Sequence, residues 1–118
     1  MLGAPKILIV DDEARNITVL TICFQKEGFQ VASATNGAEG FALARTEHPD
    51  LILLDIMMPG ENGFETCAKL KDDHATMDIP VIFLSAMDDV KNKIEGLSIG
   101  AVDYITKPFD RREVIARA

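Results

Sequence analysis

The feature that most constrains the fold is a fivefold alternation between short apolar runs and segments of helical length. The first, third and fourth runs are almost continuously apolar, which is typical of strands covered on both faces in a parallel sheet. The second and fifth are shorter and suit the edges of that sheet. The five predicted strands are Lys6 to Val10, Gln30 to Ala34, Asp50 to Leu54, Pro80 to Leu84 and Val102 to Ile105.

Segments with helical signals separate these runs. Residues 13–27 carry apolar side chains at helical spacing and are followed by Gly28, a common helix stop. Asn36, with Glu39 three residues later, resembles a capping box and predicts a second helix that ends near His48. Three further helices are predicted: Phe64 to Lys71, Val90 to Leu97, and a short one from Asp110 onward.

This β-α alternation predicts an α/β fold of the flavodoxin-like, doubly wound (βα)5 type. Each parallel crossover needs a right-handed helical return, so helices cover both faces of one sheet. Five strands fit the order 2-1-3-4-5, with a ligand site at the carboxyl ends of the strands beside the switch between strands 1 and 3. We expect residues 1–118 to form a single domain. Because the last helix is short and lacks a cap, we expect the domain to be excised from a longer protein, with a naturally short chain as the alternative.

The composition excludes several classes of protein. The chain is 47% hydrophobic and 26% charged, which is typical of a globular domain, and it lacks the run of about 20 apolar residues that a membrane span needs. A net charge of −7 argues against direct contact with nucleic acid. The N-terminus does not resemble a signal peptide, so we expect a cytoplasmic protein. Cys23 and Cys67 have no neighbours at metal-ligand spacing and are predicted to be packing residues.

Chemically active side chains fall at the carboxyl ends of four predicted strands. Asp11 and Asp12 follow strand 1, Asp55 follows strand 3, Ser85 follows strand 4, and Lys107 comes two residues after strand 5. Because these ends share one edge of the sheet, we expect the side chains to meet there. Three adjacent carboxylates repel one another and need a cation or a raised pKa. Oxygen ligands of this kind suit Mg²⁺.

The same set of groups suits phosphoryl transfer. A carboxylate can act as a nucleophile and form an acyl phosphate. Catalysis then depends on positioning and on neutralising the equatorial phosphoryl oxygens. In this interpretation Asp55 takes the phosphoryl group, while Mg²⁺, the Lys107 ammonium and the Ser85 hydroxyl each bind one of its oxygens.

Four segments of the chain form a recognisable set: Ile9-Val10-Asp11-Asp12-Glu13, Leu53 to Gly63, Phe83-Leu84-Ser85-Ala86 and Gly100 to Phe109. Together they resemble the receiver domain of two-component response regulators. They follow the family's order and spacing over essentially the whole chain. The resemblance implies a signalling switch in which a histidine kinase or histidine phosphotransfer domain phosphorylates Asp55 with Mg²⁺. It also implies a protein that assists its own phosphorylation and dephosphorylation but is not a conventional enzyme.

The resemblance assigns metal ligands residue by residue. Asp12 and Asp55, with the backbone carbonyl of Met57, would bind Mg²⁺ directly, whereas Asp11 would act largely through water. Taken alone, an acid pair such as Asp11-Asp12 is more commonly two acids favoured by the dipole at a helix N-terminus.

The resemblance also assigns the switch. Ser85 would be the switch hydroxyl, Tyr104 the switch aromatic and Lys107 the cation that pairs with the phosphoryl group, with a cis peptide before Pro108. Phosphorylation would change the partner preference of the face formed by helix 4, strand 5 and helix 5. The same face is a candidate for homodimerisation, and the output partner is not specified by the sequence.

Three other functions compete with this one. A flavodoxin-like nucleotide or flavin carrier would need a loop rich in Gly, Ser or Thr after strand 1, where Asp11-Asp12-Glu13 stands. A haloacid-dehalogenase-type phosphatase would need a second aspartate two residues after Asp55, where Met57 stands. A phosphorylation-independent interaction domain would not need the full set of chemical residues.

Overall fold

The computed structural model describes residues 5–56, 63–85 and 103–106, with the backbone alone at Ser85 and at 103–106. The strands form one parallel sheet in the order β2-β1-β3-β4-β5, which confirms the predicted flavodoxin-like arrangement. None of the described helices is long and apolar enough to cross a membrane. The helices predicted from Val90 and from Asp110 lie outside the described residues. The described elements are β1 (Lys6–Val10), α1 (Ala14–Lys26), β2 (Gln30–Ala34), α2 (Gly37–Glu47), β3 (Leu51–Asp55), α3 (Gly63–Lys71), β4 (Val81–Ser85) and β5 (Asp103–Thr106).

Strands β3 and β4 each continue one residue further than the apolar runs predicted. Asp55 pairs with Leu84 in the β3–β4 ladder, and Ser85 pairs with Thr106 in the β4–β5 ladder. The apolar pattern ends before the hydrogen-bonded ladder does, because the last residue of each strand is polar. Asp55 is therefore held by the pleat of the sheet rather than by a loop.

Alternate residues of the three central strands pack on opposite faces of the sheet. This burial on both faces explains why the strands lack the polar alternation of a half-exposed sheet. The face covered by α2 and α3 buries Leu8, Val10, Ile52, Leu54, Val81 and Phe83. The face covered by α1 buries Ile7, Ile9, Leu51, Leu53, Ile82 and Leu84 against Leu20 and Phe24.

The ends of α1 and α2 follow the signals read from the sequence. Gly28 follows α1 with a φ of +89°, a conformation that glycine adopts without steric cost. The Asn36 side chain accepts the backbone N–H of Glu39 at 2.8 Å and caps α2. His48 ends α2 in the left-handed region, with a φ of 47°. These local signals set the lengths of the two helices.

Both cysteines are buried and free, which confirms their packing role. Cys67 lies in the core on the α2–α3 face, and Cys23 lies on α1, on the other face of the sheet. Burial raises the pKa of the Cys67 thiol. The thiol therefore stays protonated near neutral pH and is a poor nucleophile.

The connection between α3 and β4 is tied down by side chains of its own. The Thr76 hydroxyl donates to the carbonyl oxygen of Leu70 at 2.6 Å. The Lys71 ammonium donates to the carbonyl oxygen of Ile79 at 2.7 Å. Because these bonds link the end of α3 to the residues just before β4, they fix where β4 enters the sheet.

Gly40 allows α2 to approach β1 closely. This glycine is buried, and a Cβ built on it would lie 2.7 Å from Cγ2 of Val10. Glycine inside a helix costs about 1 kcal/mol relative to alanine, so close packing rather than helix propensity accounts for it. Val10 directly precedes Asp11, and the contact therefore supports the strand end that carries the first acid.

Gly40→Ala should destabilise the chain although it improves helix propensity. We expect the free energy of unfolding to fall by about 1–3 kcal/mol, because Val10 must shift within a packed core. Val10→Ala creates space for the new methyl group. The free energy of unfolding of the double variant should therefore fall by less than the sum of the decreases in the two single variants. Urea unfolding of the three variants measures this. Strictly additive losses would contradict the close approach.

Candidate functional site

Three carboxylates meet at the carboxyl edge of the sheet, as the sequence predicted. Asp11 and Asp12 directly follow β1, and Asp55 ends β3, which lies beside β1. One carboxylate oxygen from each residue can be chosen so that all three lie within 4.8 Å of one another. We refer to Asp11, Asp12 and Asp55 as the acidic cluster.

The members of the acidic cluster differ in exposure. Asp11 is 0% exposed and Asp55 is 2% exposed, whereas Asp12 is open to solvent. A buried carboxylate is costly unless it is paired or hydrogen-bonded, and like charges at this separation repel. The cluster therefore favours a cation, which can enter from the side of Asp12.

Asp11 is built into the turn that leads from β1 to α1. Its backbone N–H donates to the carbonyl oxygen of Ala34 at 3.1 Å and extends the β1–β2 ladder. Its Oδ1 accepts the backbone N–H of Glu13 at 2.9 Å, and its Oδ2 accepts Nδ2 of Asn16 at 3.2 Å. The carboxylate thus organises the start of α1 as well as contributing charge to the cluster.

Gly63, the first residue of α3, lies against the backbone of Asp55. Its N–H donates to the carbonyl oxygen of Ile56 at 2.9 Å. A Cβ at this position would collide with the Asp55 carbonyl oxygen and lie 2.8 Å from Cα of Ile56. Backbone atoms cannot yield as a flexible side chain can, so this approach of α3 to β3 requires glycine.

The remaining predicted site residues are described only in part. Ser85 ends β4, and Tyr104 pairs with Phe83 in the neighbouring β5, but the side chains of Ser85 and Tyr104 are not described. Lys107 and Met57 lie outside the described residues. The structure thus brings the three acids together, and the roles of the other four residues stay predictions.

Sequence reasoning missed Asn16. This residue lies in the first turn of α1, is half-buried and donates to the buried Asp11 carboxylate. A weak signal was available, because an amide residue stands in the first turn of the helix that follows the acid pair. The contact itself depends on the angle at which α1 leaves β1, which residue spacing does not reveal.

The chain belongs to the family of response regulator receiver domains, whose family model matches residues 7–118. This membership defines a phosphoryl-accepting signalling switch of two-component systems. Such a domain implies a histidine kinase or phosphotransfer partner. Receiver domains generally bind Mg²⁺ at an acidic pocket, and Asp11, Asp12 and Asp55 form a cluster of acids in this chain. The alternatives of a flavin carrier and of a dehalogenase-type phosphatase are thereby set aside.

Two relatives with more than 40% sequence identity support this membership. The chain is 47% identical over 111 residues to the phosphate regulon transcriptional regulatory protein PhoB of Pseudomonas aeruginosa, covering 94% of this chain and 48% of PhoB. It is 46% identical over 110 residues to protein PilH of the same organism, covering 93% of this chain and 91% of PilH. The chain therefore spans about half the length of PhoB and most of PilH.

The fold is also that of a solved receiver. The structure of the chemotaxis protein CheY4 of Vibrio cholerae matches with a TM-score of 0.93 at 27% sequence identity. The match covers 98% of this chain and 96% of CheY4.

Removing one charge from the acidic cluster should stabilise the metal-free chain. Asp12→Asn keeps the side-chain shape and removes repulsion, so the free energy of unfolding in EDTA should rise by about 1 kcal/mol at this exposed position. Urea unfolding measures the change, with Glu13→Gln, an exposed acid outside the cluster, as the control. In excess Mg²⁺ the wild type should become the more stable of the two, because it binds the ion more tightly than Asp12→Asn and gains more free energy of unfolding from it. Equal stabilities in EDTA would contradict strong repulsion within the cluster.

Proposed function

We propose that Asp55 is the residue of this receiver domain that accepts the phosphoryl group. The observation that carries the proposal is a buried carboxylate at the end of a central strand, within 4.8 Å of two other acids. In the part of the chain that the structure describes, no second group of three potential metal ligands occurs. Asp55 also has its main chain fixed on two sides, by the β4 ladder and by Gly63.

We propose Mg²⁺ as the cation of the acidic cluster. The donors that fit are all oxygens, and the exposure of Asp12 leaves room for the water ligands that Mg²⁺ retains. Asp12 and Asp55, with the carbonyl of Met57, would hold the ion directly, and Asp11 would act largely through water. When bound, Mg²⁺ supplies positive charge that offsets repulsion between the acids and the phosphoryl oxygens.

The proposed reaction is a displacement at phosphorus. A carboxylate oxygen of Asp55 forms the new P–O bond as the P–N bond of a donor phosphohistidine breaks, and the imidazole nitrogen keeps the electron pair. Lys107 would pair with one phosphoryl oxygen, and the Ser85 hydroxyl would donate to another. The same groups would later assist hydrolysis of the acyl phosphate by water, so the chain would assist both its own phosphorylation and its own dephosphorylation.

We propose that the switch passes from β3 to β4 and β5. These strands are neighbours in the sheet, and Ser85 and Tyr104 lie on β4 and β5. New charge at Asp55 would draw Ser85 inward and favour the inward rotamer of Tyr104. The face formed by the helix predicted from Val90, β5 and the helix predicted from Asp110 would then change its partner preference, homodimerisation included.

We further propose that residues 1–118 act as one receiver module within a longer protein. PhoB, which is named as a transcriptional regulatory protein, is about twice as long as the segment it shares with this chain. In such an arrangement the module itself makes no contact with nucleic acid, in keeping with its net charge of −7.

Incubation with acetyl phosphate and Mg²⁺ should add one phosphoryl group, measured by intact mass. Asp55→Asn should add none, because an amide lacks the nucleophilic carboxylate oxygen, and EDTA should prevent the reaction in the wild type. Asp50→Asn is the matched control, because Asp50 is an exposed acid at the opposite end of β3. Its carboxylate accepts the backbone N–H of Lys6. A wild type that gains no mass, or a phosphorylated Asp55→Asn, would refute the assignment.

Lys107→Ala should separate phosphorylation from the switch. We expect Mg²⁺ affinity by calorimetry to stay within about twofold of the wild type, because the lysine is not a metal ligand in the proposal. The change in the NMR spectrum that follows acetyl phosphate treatment should be largely lost. Lys26→Ala, at an exposed lysine that ends α1, should respond as the wild type does. A full spectral response in Lys107→Ala would contradict its role.

A further inference from the structure

We propose that Asn16 is a positioning residue for the metal site and that it acts through Asp11; this inference rests on the Mg²⁺ site proposed above. Asn16 lies in the first turn of α1 and is half-buried. Its Nδ2 donates to Oδ2 of Asp11 at 3.2 Å. An ionised carboxylate can only accept hydrogen bonds, so the chemistry of the pair sets which end of the amide faces Asp11.

Asn16 and Glu13 together hold the two oxygens of the Asp11 carboxylate. Oδ1 accepts the backbone N–H of Glu13 at 2.9 Å, and Oδ2 accepts the Asn16 amide. The terminal torsion of an aspartate is intrinsically soft, so a carboxylate held at one oxygen can still rotate. A donor on each oxygen fixes the carboxylate plane. Asp11 therefore faces an incoming ion or its water in a more restricted orientation than a single donor would allow.

The neutral amide is the right type of donor for this position. Asp11 is 0% exposed and lies in a cluster whose negative charge is what attracts a divalent cation. A lysine or arginine at position 16 would also bond Asp11, but its charge would neutralise the cluster and repel the ion. An amide offsets part of the cost of burying the carboxylate and leaves the charge of the cluster unchanged.

Helix α1 gives Asn16 a rigid base. The backbone N–H groups of Asn16 and Ile17 both donate to the carbonyl oxygen of Glu13, at 3.1 and 3.2 Å. Further along, Leu20 and Phe24 anchor the helix in the core. Because the amide stands on a packed helix and not on a loop, its position is set by the same core that sets β1.

A double-mutant cycle on Mg²⁺ affinity tests the inference. Calorimetry on Asn16→Leu, which keeps the side-chain size and removes the donor, should show a dissociation constant about tenfold weaker than that of the wild type. In an Asp11→Asn background the same substitution should change affinity by less than about twofold, because Asn16 acts through that carboxylate. If Asn16→Leu does not fold, Asn16→Ala replaces it throughout the cycle.

Thr18→Val is the matched control, because it also removes a side-chain hydrogen bond from the first turns of α1. The exposed Thr18 hydroxyl donates to the carbonyl oxygen of Ala14 at 3.0 Å. Its Mg²⁺ affinity should equal that of the wild type. In the metal-free protein, the NMR resonance of the Glu13 amide should move in Asn16→Leu and stay in place in Thr18→Val.

The outcomes separate this inference from the site on which it rests. A wild type that fails to bind Mg²⁺ would overturn the metal site and the role of Asn16 together. A wild type that binds, with unchanged affinity in Asn16→Leu, would overturn the role of Asn16 alone. An equal loss in the wild-type and Asp11→Asn backgrounds would also overturn it, because Asn16 would then act without Asp11.

Discussion

The mutual repulsion of three carboxylates is the physical constraint that the rest of the structure must offset. One oxygen from each carboxylate lies within 4.8 Å of the other two, and two of the three residues are buried. A flexible chain would relieve this repulsion by moving the strand ends apart. Here the ends cannot separate, because β1 and β3 are adjacent strands in one ladder with apolar cores on both faces. The free energy of the cores offsets the repulsion and keeps the cluster ready for a cation.

In the part of the chain that the structure describes, three small or neutral residues restrain the cluster. Gly40 brings α2 against Val10, the residue before Asp11, and Gly63 brings α3 against the main chain of Asp55. Asn16 bonds a carboxylate without adding charge. Helices thus support the acids from both faces of the sheet.

Much of the fold and the centre of the site could be predicted from the sequence. The alternating runs determine the topology, and the topology brings residues that follow different strands to one edge. The last residues of β3 and β4 were less predictable, because Asp55 and Ser85 are polar and the hydrophobic pattern ends before them. Asn16 could not be predicted, because its contact depends on the angle between α1 and β1. Lys107 and Met57 lie outside the described residues, and their roles remain predictions.

The two-residue period of β3 limits how a chain of this kind can evolve. Asp55 shares the sheet face of Leu51 and Leu53, beneath α1. One residue inserted into or deleted from the strand would turn the aspartate to the opposite face, away from the other two acids. A change in length after α3 would leave its direction unaltered. Insertions and deletions can therefore accumulate in the connections, whereas the spacing within β3 must be inherited intact.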